Sequence, residues 1–410
     1  MRDSSPNYFF GLDIGTSAVR CVVGMFQTDQ SGEISIVGHG NAPNIGMRKG
    51  VVSHMDDVAE AITHAVAEAE RVSGIQIRGA TVNVNGIHVG GLNSKGVIAI
   101  SAGDREITVD DRYRAEEAAT IMKLPPNREI IQVFAKNYRV DGQDNIKDPV
   151  GMHGVRLEVD THIVTASSPI LKSLSMAVEQ ADLAINHMTV SSLAAAEAVL
   201  TRQQKESGTL LLDIGAGTTN MVVVEDGEIQ HVAVLPIGGI NITNDLAIGL
   251  KTDLDVAEVV KVKHASLDMP DYGKVSVESN GSKHSFTKSD IHMITEARVE
   301  ELFEFVDKEL KKISRARKLP GGVVLVGGTA KLPGIAAYAQ EKLQLAARVG
   351  TLQTLAGLVD TVDDPSFATA IGLMQLDMLL MPERGSNTRG TPNQSALGMI
   401  EGLINRFRKR

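Results

Sequence analysis

Residues 8–24 read YFFGLDIGTSAVRCVVG, and residues 208–224 read GTLLLDIGAGTTNMVVV. In each stretch an apolar run ends at Asp-Ile-Gly, and a turn of small and hydroxyl residues leads into a second β-branched run. Glycines that bound such runs are typical of antiparallel strands joined by tight turns. Because Asp13 and Asp213 occupy the same place in the two copies, the sequence predicts two similar lobes that face each other.

The rest of the chain divides around these two copies. Residues 55–74 place apolar side chains at helical spacing and end at a glycine, whereas residues 83–165 mix alternating strand patterns with a helix. The second pattern indicates a small α+β subdomain inserted into the first lobe. We predict a first lobe core at 8–82, 166–190 and 367–381, the inserted subdomain at 83–165, a second lobe core at 191–240 and 318–366, its peripheral subdomain at 241–317, a flexible linker at 382–395, and an amphipathic helix at 396–410.

The two Asp-Ile-Gly turns carry residue types that bind phosphate. Concave clusters of backbone N–H groups with little steric bulk bind phosphate oxygens. Asp13 and Asp213 stand at strand ends, where a carboxylate can accept hydrogen bonds from the water shell that Mg²⁺ tends to keep. One copy alone is better explained as a tight hairpin, but two copies in the same context favour a phosphate clamp. The predicted clamp residues are Gly15, Thr16, Ser17, Gly215, Gly217, Thr218 and Thr219.

A third glycine turn follows a buried strand in GVVLVGGTAKLPG, residues 322–334. Glycine permits the backbone to approach a flat ligand closely. Such a turn is more often a simple bend when it occurs alone. Together with the two phosphate turns, Gly327, Gly328 and Thr329 predict the third side of one nucleotide pocket.

Composition excludes several classes of function. The chain contains 9 Phe, 5 Tyr and no Trp, and its formal net charge is −9. Nucleic-acid binding is disfavoured, because phosphate backbones reward basic residues and base stacking needs aromatic rings. A single cysteine, Cys21, cannot form an internal disulfide, which fits the reducing cytoplasm. No apolar run is long enough to predict a membrane-spanning helix.

The end of the chain has a different character from the acidic body. Residues 382–395 are rich in Pro, Gly, Ser and Asn, which predicts a flexible linker. On a helix over 396–410 the large apolar side chains fall within an arc of ~160°, with basic residues beside them. This pattern predicts binding to a membrane surface; the alternative is a helix docked on its own protein or on a partner. The predicted membrane residues are Leu397, Met399, Ile400, Leu403, Ile404, Phe407, Arg406, Arg408, Lys409 and Arg410.

The order of these motifs resembles the actin/Hsp70/sugar-kinase superfamily. Two phosphate turns flank the Ala-rich stretch 194–200, and GVVLVGGTAKLPG follows them. Within the superfamily, residues 8–410 are similar to the FtsA family of bacterial cell-division proteins. Four features carry this closer resemblance: GMRKGVVSHMDD at 46–57, the position of the insert, KDPVGMHGVRLEV at 147–159, and the basic amphipathic tail.

The resemblance implies an α/β, actin-like fold of two duplicated ribonuclease-H-like lobes, with an inserted α+β subdomain and a C-terminal amphipathic helix. It also implies ATP and Mg²⁺ as ligands, with Asp13 and Asp213 contacting the ion through water. The implied nucleotide-binding residues are Asp13, Gly15, Thr16, Ser17, Arg20, Asp213, Gly215, Gly217, Thr218, Thr219, Gly238, Gly239, Glu258, Lys261, Gly327, Gly328, Thr329 and Lys331.

Some implied roles have plain alternatives. Glu197 lies near where relatives position the attacking water, yet it can equally be a structural residue. Glu258 and Lys261 can be a surface pair one helical turn apart. Arg20 stands where actin-like proteins usually have Lys, and the planar guanidinium does not replace an ammonium group. We therefore expect nucleotide binding with at most a weak ATPase activity.

The function implied by the resemblance is to anchor FtsZ filaments at the cytoplasmic face of the plasma membrane, at the division site. The peripheral subdomain 241–317 would receive the FtsZ C-terminal tail, with Arg298 and Lys308 as candidate contacts. The insert 83–165 would contact other division proteins, and the chain would associate with itself. Two alternatives within the superfamily are a pilus-assembly adaptor and a small-molecule kinase; neither needs the basic tail.

Overall fold

The structure is a computed structural model that describes residues 7–26, 34–101, 103–268, 273–279, 281–353 and 356–380. Its strands are β1 (Asn7–Ile14), β2 (Ala18–Phe26), β3 (Ile34–Pro43), β4 (Met47–Arg48), β5 (Val51–Val52), β6 (Gly79–Val84), β7 (Gly90–Ala99), β8 (Arg128–Val140), β9 (Gln143–Ile146), β10 (Arg156–Ser167), β11 (Ala184–Val190), β12 (Thr209–Ile214), β13 (Thr219–Glu225), β14 (Glu228–Leu235), β15 (Lys274–Ser279), β16 (Ser282–Thr287), β17 (Gly322–Val326), β18 (Ala347–Val349) and β19 (Ala356–Gly357). Its helices are α1 (Met55–Ser73), α2 (Val109–Thr120), α3 (Ser168–Gln180), α4 (Ser191–Val199), α5 (Arg202–Ser207), α6 (Gly239–Leu250), α7 (Leu254–His264), α8 (Lys288–Lys312), α9 (Ile335–Leu343), α10 (Val359–Val362) and α11 (Ala368–Leu380), with 3₁₀ turns at Gly328–Lys331 and Pro365–Phe367.

The two sequence copies fold into matching hairpins. Asp13 on β1 lies opposite Arg20 on β2, and Asp213 on β12 lies opposite Asn220 on β13. A hydrogen bond of 3.0 Å from the N–H of Gly15 to the carbonyl oxygen of Ala18 closes the turn of the first hairpin. In the second hairpin, the N–H of Gly215 donates to the carbonyl oxygen of Thr218 at 2.9 Å. The predicted repeat is therefore confirmed at the level of strand register.

The first lobe is built on a six-stranded sheet in the order β11-β6-β1-β2-β3-β19. β6 runs parallel to β1, with Val82 opposite Leu12. Parallel strands end at the same edge of a sheet, so the polar end of β6 comes to lie beside Asp13. The predicted start of the insert at residue 83 falls within β6, because this strand belongs to the first lobe; the sheet of the inserted subdomain begins with β7 at Gly90.

The second lobe repeats this plan with a five-stranded sheet in the order β14-β13-β12-β17-β18. β17 runs parallel to β12 and places Val326 opposite Asp213. The Gly327–Gly328 turn therefore begins at the same sheet edge as the second phosphate turn. A peripheral group of α6, α7, α8 and the β15–β16 hairpin packs around its own apolar core.

Two apolar helices join the lobes. In α4 every residue except one is buried, and its small side chains allow α11 to approach closely. A Cβ placed on Gly372 of α11 would lie 1.8 Å from the carbonyl oxygen of Ala194 of α4, so the two backbones are in contact. Both helices belong to the apolar core that includes residues of both lobes.

The inserted subdomain has a four-stranded antiparallel sheet in the order β7-β10-β8-β9, which α2 covers. It also packs against β14 of the second lobe. The main-chain N–H of Val232 on β14 donates to Nε2 of His162 on β10 at 3.0 Å. The insert thus contacts both lobes, although it interrupts only the first.

The predicted linker 382–395 and amphipathic helix 396–410 lie outside the described residues. In the part of the chain that the structure describes, no helix has the length and apolar character required to cross a bilayer.

Candidate functional site

A cavity of about 460 Å³ lies between the lobes, at the sheet edges where the glycine turns meet. It is lined by residues from the segments that the sequence analysis singled out. Fifteen of the predicted nucleotide-binding residues line it: Asp13, Gly15, Thr16, Ser17, Arg20, Asp213, Gly215, Thr218, Gly239, Glu258, Lys261, Gly327, Gly328, Thr329 and Lys331. Its volume lies within the range of ~300–1,000 Å³ that small-molecule sites occupy.

Gly217 and Thr219 do not line the cavity. A Cβ placed on Gly217 would lie 3.0 Å from Oγ1 of Thr16 and 3.1 Å from Cα of Lys49, both in the first lobe. Gly217 is therefore needed for the approach of the two lobes rather than for the approach of a phosphate. Thr219 faces its own lobe, where its hydroxyl donates to the carbonyl oxygen of Ile237 at 2.8 Å.

Gly238 also lies outside the cavity lining, but it permits a contact that shapes the cavity. A Cβ on Gly238 would lie 2.6 Å from the carbonyl oxygen of Ala216. Without that Cβ, the first N–H groups of α6 reach the second phosphate turn: Gly239 donates to Gly215 at 2.9 Å and Ile240 donates to Ala216 at 2.8 Å. The amino end of α6 is thereby fixed beside the turn.

Two carboxylates and one guanidinium form the charged base of the cavity. Burial raises the pKa of Asp13 to about 7; Arg20 lowers that pKa and Asp213 raises it. Burial likewise raises the pKa of Asp213 to about 6, opposed by a hydrogen bond from Thr369 and by Arg20. Nη1 of Arg20 lies 3.9 Å from Asp13, and the buried Nε of Arg20 has no hydrogen-bond partner in the described part of the chain. A cation next to these carboxylates and an anion next to Arg20 would both be favoured.

Neighbouring amide and hydroxyl groups orient the two carboxylates. Nδ2 of Asn83 donates to Asp13 at 2.8 Å, and the hydroxyl of Thr369 donates to Asp213 at 3.2 Å. Among the described residues, no three His, Cys, Asp or Glu side chains form a metal-binding cluster. A pair of carboxylates without further ligands suits an ion that keeps most of its water, as Mg²⁺ does.

The third glycine turn closes the cavity on the second-lobe side. Gly327 has a φ of 86°, and a Cβ there would lie 2.5 Å from Asp213. The hydroxyl of Thr329 donates to the carbonyl oxygen of Gly215 at 3.0 Å, which ties this turn to the second phosphate turn. Nζ of Lys331 is held by Asp364 at 2.8 Å.

Glu258 and Lys261 form more than a surface pair. Nζ of Lys261 lies 2.7 Å from Glu258 and 2.9 Å from the hydroxyl of Thr243, which in turn donates to Glu258 at 2.5 Å. Ile240 and Val262 line the same end of the cavity, and their side chains are exposed although apolar. This end therefore combines polar groups with an apolar surface suited to a flat ring.

Sequence reasoning missed several lining residues. Asn85 follows β6, and its Oδ1 accepts a hydrogen bond from the hydroxyl of Thr218 across the cleft at 3.0 Å. Its signal was a polar residue directly after an apolar strand. Ser366 reaches the cavity from the 3₁₀ turn before α11, and Thr369 reaches it from the first turn of α11; no motif marks them. Ile240 and Val262 have an apolar character that is typical of core residues in a helix.

The structure does not bring Glu197 to this cavity. Its carboxylate is buried beside α5 and lies 2.7 Å from Nζ of Lys205. Because Glu197 is not among the residues that line the cavity and its carboxylate pairs with Lys205, the structural interpretation of Glu197 is favoured over the catalytic one.

Arg298 and Lys308 both lie on α8, but their surroundings differ. Arg298 is held by Asp245 at 2.5 and 2.9 Å and also pairs with Glu301. Lys308 is well exposed and lies 3.9 Å from Glu304 and 5.0 Å from the ring centre of Phe305. Of these two residues, Lys308 is the one whose side chain is exposed enough to contact a partner.

Comparison with known proteins decides the family. The sequence profile "Cell division protein FtsA" matches residues 210–372, and the profile "SHS2 domain inserted in FTSA" matches residues 86–165. The cell division protein FtsA of Bacillus subtilis is 39% identical over 372 residues, which cover 90% of this chain and 82% of that protein. The chain belongs to the FtsA family of cell-division proteins. FtsA of Pseudomonas aeruginosa is 34% identical over 394 residues, covering 93% of this chain and 94% of that protein.

Solved structures show the same fold at low sequence identity. The PilM–PilN type IV pilus biogenesis complex contains a chain with a TM-score of 0.63 and 18% identity, covering 91% of this chain and 99% of that one. MreB5 of Spiroplasma citri bound to ADP has a TM-score of 0.51 and 15% identity, and the match covers 89% of this chain and 94% of that one. The predicted actin-like fold is confirmed, and the chain is a member of a cell-division family.

Proposed function

We propose that this FtsA-family protein binds Mg-ATP between its lobes and anchors FtsZ filaments to the cytoplasmic face of the plasma membrane at the division site. The observation that carries the first part is the cavity: three glycine turns, far apart in sequence, line one space with a charged base and a partly apolar end. An alternative role as a small-molecule kinase gains no support from Glu197, which pairs with Lys205 and is not among the residues that line that space.

The side chains at the base would act on the phosphate end of the nucleotide. The N–H groups of the turns at Gly15 and Gly215 would donate to phosphate oxygens, and Arg20 would supply a positive charge. Asp13 and Asp213 would hold Mg²⁺ through water, and the ion would neutralise phosphate charge. These groups bind and orient the nucleotide. Because Arg20 stands where actin-like proteins usually have Lys, and a planar guanidinium does not replace an ammonium group, we expect at most weak ATPase activity.

The opposite end would receive adenosine. Glu258 can accept hydrogen bonds from hydroxyl groups of the sugar, and Lys261 holds its carboxylate in place at 2.7 Å. Gly327 and Gly328 give a flat ring access to the backbone, while Ile240 and Val262 bury its faces. The structural relative from Spiroplasma citri is bound to ADP, which supports this use of the fold.

The binding of partners is proposed for other surfaces. The FtsZ tail would bind the peripheral subdomain 241–317, where Lys308 is available. The insert would contact other division proteins, and residues 396–410 would bind the membrane. Self-association into filaments is supported by the fold, since another structural relative is described as the MamK double helical filament, at 15% identity and a TM-score of 0.53.

Co-sedimentation tests the whole proposal. The full-length chain is mixed with FtsZ and anionic lipid vesicles, with and without Mg-ATP, and the vesicles are pelleted. We expect FtsZ in the pellet only when the chain is present. Asp213→Ala should weaken Mg-ATP binding, because it removes a carboxylate from the water shell of the ion. Recovery of FtsZ in the supernatant with the chain bound to vesicles would contradict the anchoring role.

A further inference from the structure

A second cavity lies between the inserted subdomain and the second lobe, away from the nucleotide cavity. Its volume is about 470 Å³, similar to that of the first. Every residue that lines it is polar or charged. The lining comes from β7 to β10 on one side, and from the β13–β14 hairpin and the segment after α8 on the other. The function proposed above makes no use of this space.

Two cations from the two sides face this cavity. Lys136 on β8 is half-buried, and among the described residues its ammonium group has no hydrogen bond or ion pair. Burial lowers the pKa of Lys136; Asp160 and Glu225 act against that shift, and the positive charge of Arg315 adds to it. Nε of Arg315 donates to Glu225 at 2.6 Å, whereas its two terminal nitrogens make no hydrogen bond with the described part of the chain.

Four carboxylates line the cavity, those of Asp160, Glu225, Asp226 and Glu228, but no described carboxylate forms an ion pair with Lys136. Asp160 lies 3.3 Å from Nζ of Lys95, and Glu225 is held by Arg315. Asp160 and Glu225 therefore each have another cation within 4 Å, whereas Lys136 has no carboxylate within that distance in the part of the chain that the structure describes. Two positive groups that lie close together in a partly desolvated space favour an anion between them.

We infer that this cavity binds a small polar molecule through its phosphate or carboxylate group, which Lys136 and Arg315 hold between them. An oxyanion has the several acceptor atoms needed to receive hydrogen bonds from both side chains, and Arg is well suited to pair with two of them. The remaining volume is lined by amides and hydroxyls such as Asn137, Asn145 and Thr161, which suit a hydroxyl-rich remainder.

Occupancy of this site would link the insert to the second lobe. The two parts already meet beside the cavity, where His162 accepts from Val232 and where Nζ of Lys147 donates to the carbonyl oxygen of Asp226 at 3.1 Å. Burial lowers the pKa of His162 to about 3, so its ring is neutral and can accept this hydrogen bond. A bound oxyanion adds a further connection across the same interface.

Equilibrium dialysis of the full chain with radiolabelled inorganic phosphate tests the inference at constant ionic strength. The variants are Lys136→Met and, as a matched control, Lys95→Met, which removes a cation of the same cavity that already has a partner. Phosphate at the nucleotide cavity contributes equally in all three proteins, so the comparison isolates the second cavity. We expect Lys136→Met to weaken one binding phase by about tenfold or more, as the loss of a charge-assisted hydrogen bond does, and Lys95→Met to bind as the wild type does.

A second variant, a second anion and a hydrogen-exchange measurement test the same inference independently. Arg315→Met replaces Lys136→Met if the latter does not fold, and acetate replaces phosphate to test for a carboxylate ligand. Hydrogen exchange of β14 should slow with the anion in the wild type and in Lys95→Met, but not in Lys136→Met. The inference is wrong if neither anion distinguishes Lys136→Met from the wild type, or if Lys95→Met loses as much affinity.

Discussion

Asp13 and Asp213 occupy equivalent positions in matching hairpins, and they approach one cavity from opposite lobes. Burial raises the pKa of Asp13, and the charge of Asp213 adds a smaller contribution in the same direction. Joining the lobes therefore brings two negative groups together in a desolvated space, with Arg20 as the cation between them. In the absence of ligand this arrangement opposes ionisation, and the protein should hold protons there that its unfolded chain releases.

The first prediction concerns the stability of the nucleotide-free protein as a function of pH. The folded-state pKa values are about 7 for Asp13 and about 6 for Asp213, above their ordinary value. A raised pKa means that the folded state binds the proton more tightly. The resulting stabilisation is complete below the unfolded pKa of ~4 and is lost as pH rises through ~6 to ~7. We expect the free energy of unfolding in urea to fall over this range.

Variants separate these carboxylates from other titrating groups. Asp13→Asn and Asp213→Asn should each make the fall between about pH 5 and about pH 8 shallower. Mg-ATP should have the same effect on the wild type, because a nearby cation favours the ionised carboxylates. Parallel slopes in the wild type and both variants would show that the two groups do not titrate in this range.

The second prediction tests the nucleotide cavity without disturbing the fold. Gly328 lines the cavity, and a Cβ placed on it meets no atom within 4 Å. The side chain of Gly328→Leu would therefore occupy ligand space. Overpacking typically costs ~1–3 kcal/mol, so ATP affinity measured by calorimetry should fall by about ten- to a hundredfold. Gly103→Leu is the control, since Gly103 also faces open space but lies in the insert. Equal affinity in the two variants would place the nucleotide elsewhere.

The phosphate turns could be predicted from the sequence because their chemistry is local. Asp, Gly and hydroxyl residues within five positions make a turn, and the turn at Gly15 is the same in the structure as in the pattern. The sequence marks Asn85 only as a polar residue after a strand, and its place at the cavity depends on the parallel pairing of β6 with β1. Thr369 could not be predicted, because it reaches the cavity through the packing of α11. The sequence places Gly217 in the second phosphate turn, but only the tertiary structure shows that Thr16 and Lys49 of the other lobe lie against it.

The third prediction tests the contact of α4 with α11. Gly372→Ala would place a Cβ 1.8 Å from the carbonyl oxygen of Ala194. Helix propensity favours Ala by ~1 kcal/mol, but backbone overpacking costs typically ~1–3 kcal/mol and more in severe cases. We expect a lower urea midpoint. Gly249→Ala is the matched control in α6, where the new Cβ would meet side-chain atoms alone, Cδ1 of Ile294 at 2.5 Å and Cγ1 at 3.2 Å. Because a side chain can shift more easily than a backbone, this variant should lower the midpoint less than Gly372→Ala does. A stable Gly372→Ala protein would show that the two helices move apart at little cost.

The fourth prediction concerns the proposed FtsZ contact. Lys308→Glu reverses an exposed charge on α8 and should weaken binding of the FtsZ tail peptide, measured by fluorescence anisotropy, while ATP binding is unchanged. Exposed charge pairs contribute up to ~1 kcal/mol, so we expect a few-fold effect. Arg298→Glu is a poorer test, because it would place a third carboxylate beside Asp245 and Glu301 and lower the stability of the subdomain. Unaltered peptide binding by Lys308→Glu would move the contact to another surface.

The last prediction is that residues 396–410 are a reversible membrane anchor. The apolar arc has six large side chains, and full burial of one is worth ~1.5–3 kcal/mol. Burial at a membrane surface is partial, and forming the helix costs conformational entropy. The net binding free energy is therefore far below the summed burial energies of the six side chains, and a single substitution should weaken membrane binding measurably. Phe407→Glu should release the protein from anionic vesicles. Arg408→Ala with Lys409→Ala should weaken binding mainly at low salt, because salt already screens the electrostatic part. Neither variant should change the thermal stability of the lobes. Vesicle binding by a chain that lacks 396–410, or unfolding of that chain, would contradict the role of an anchor.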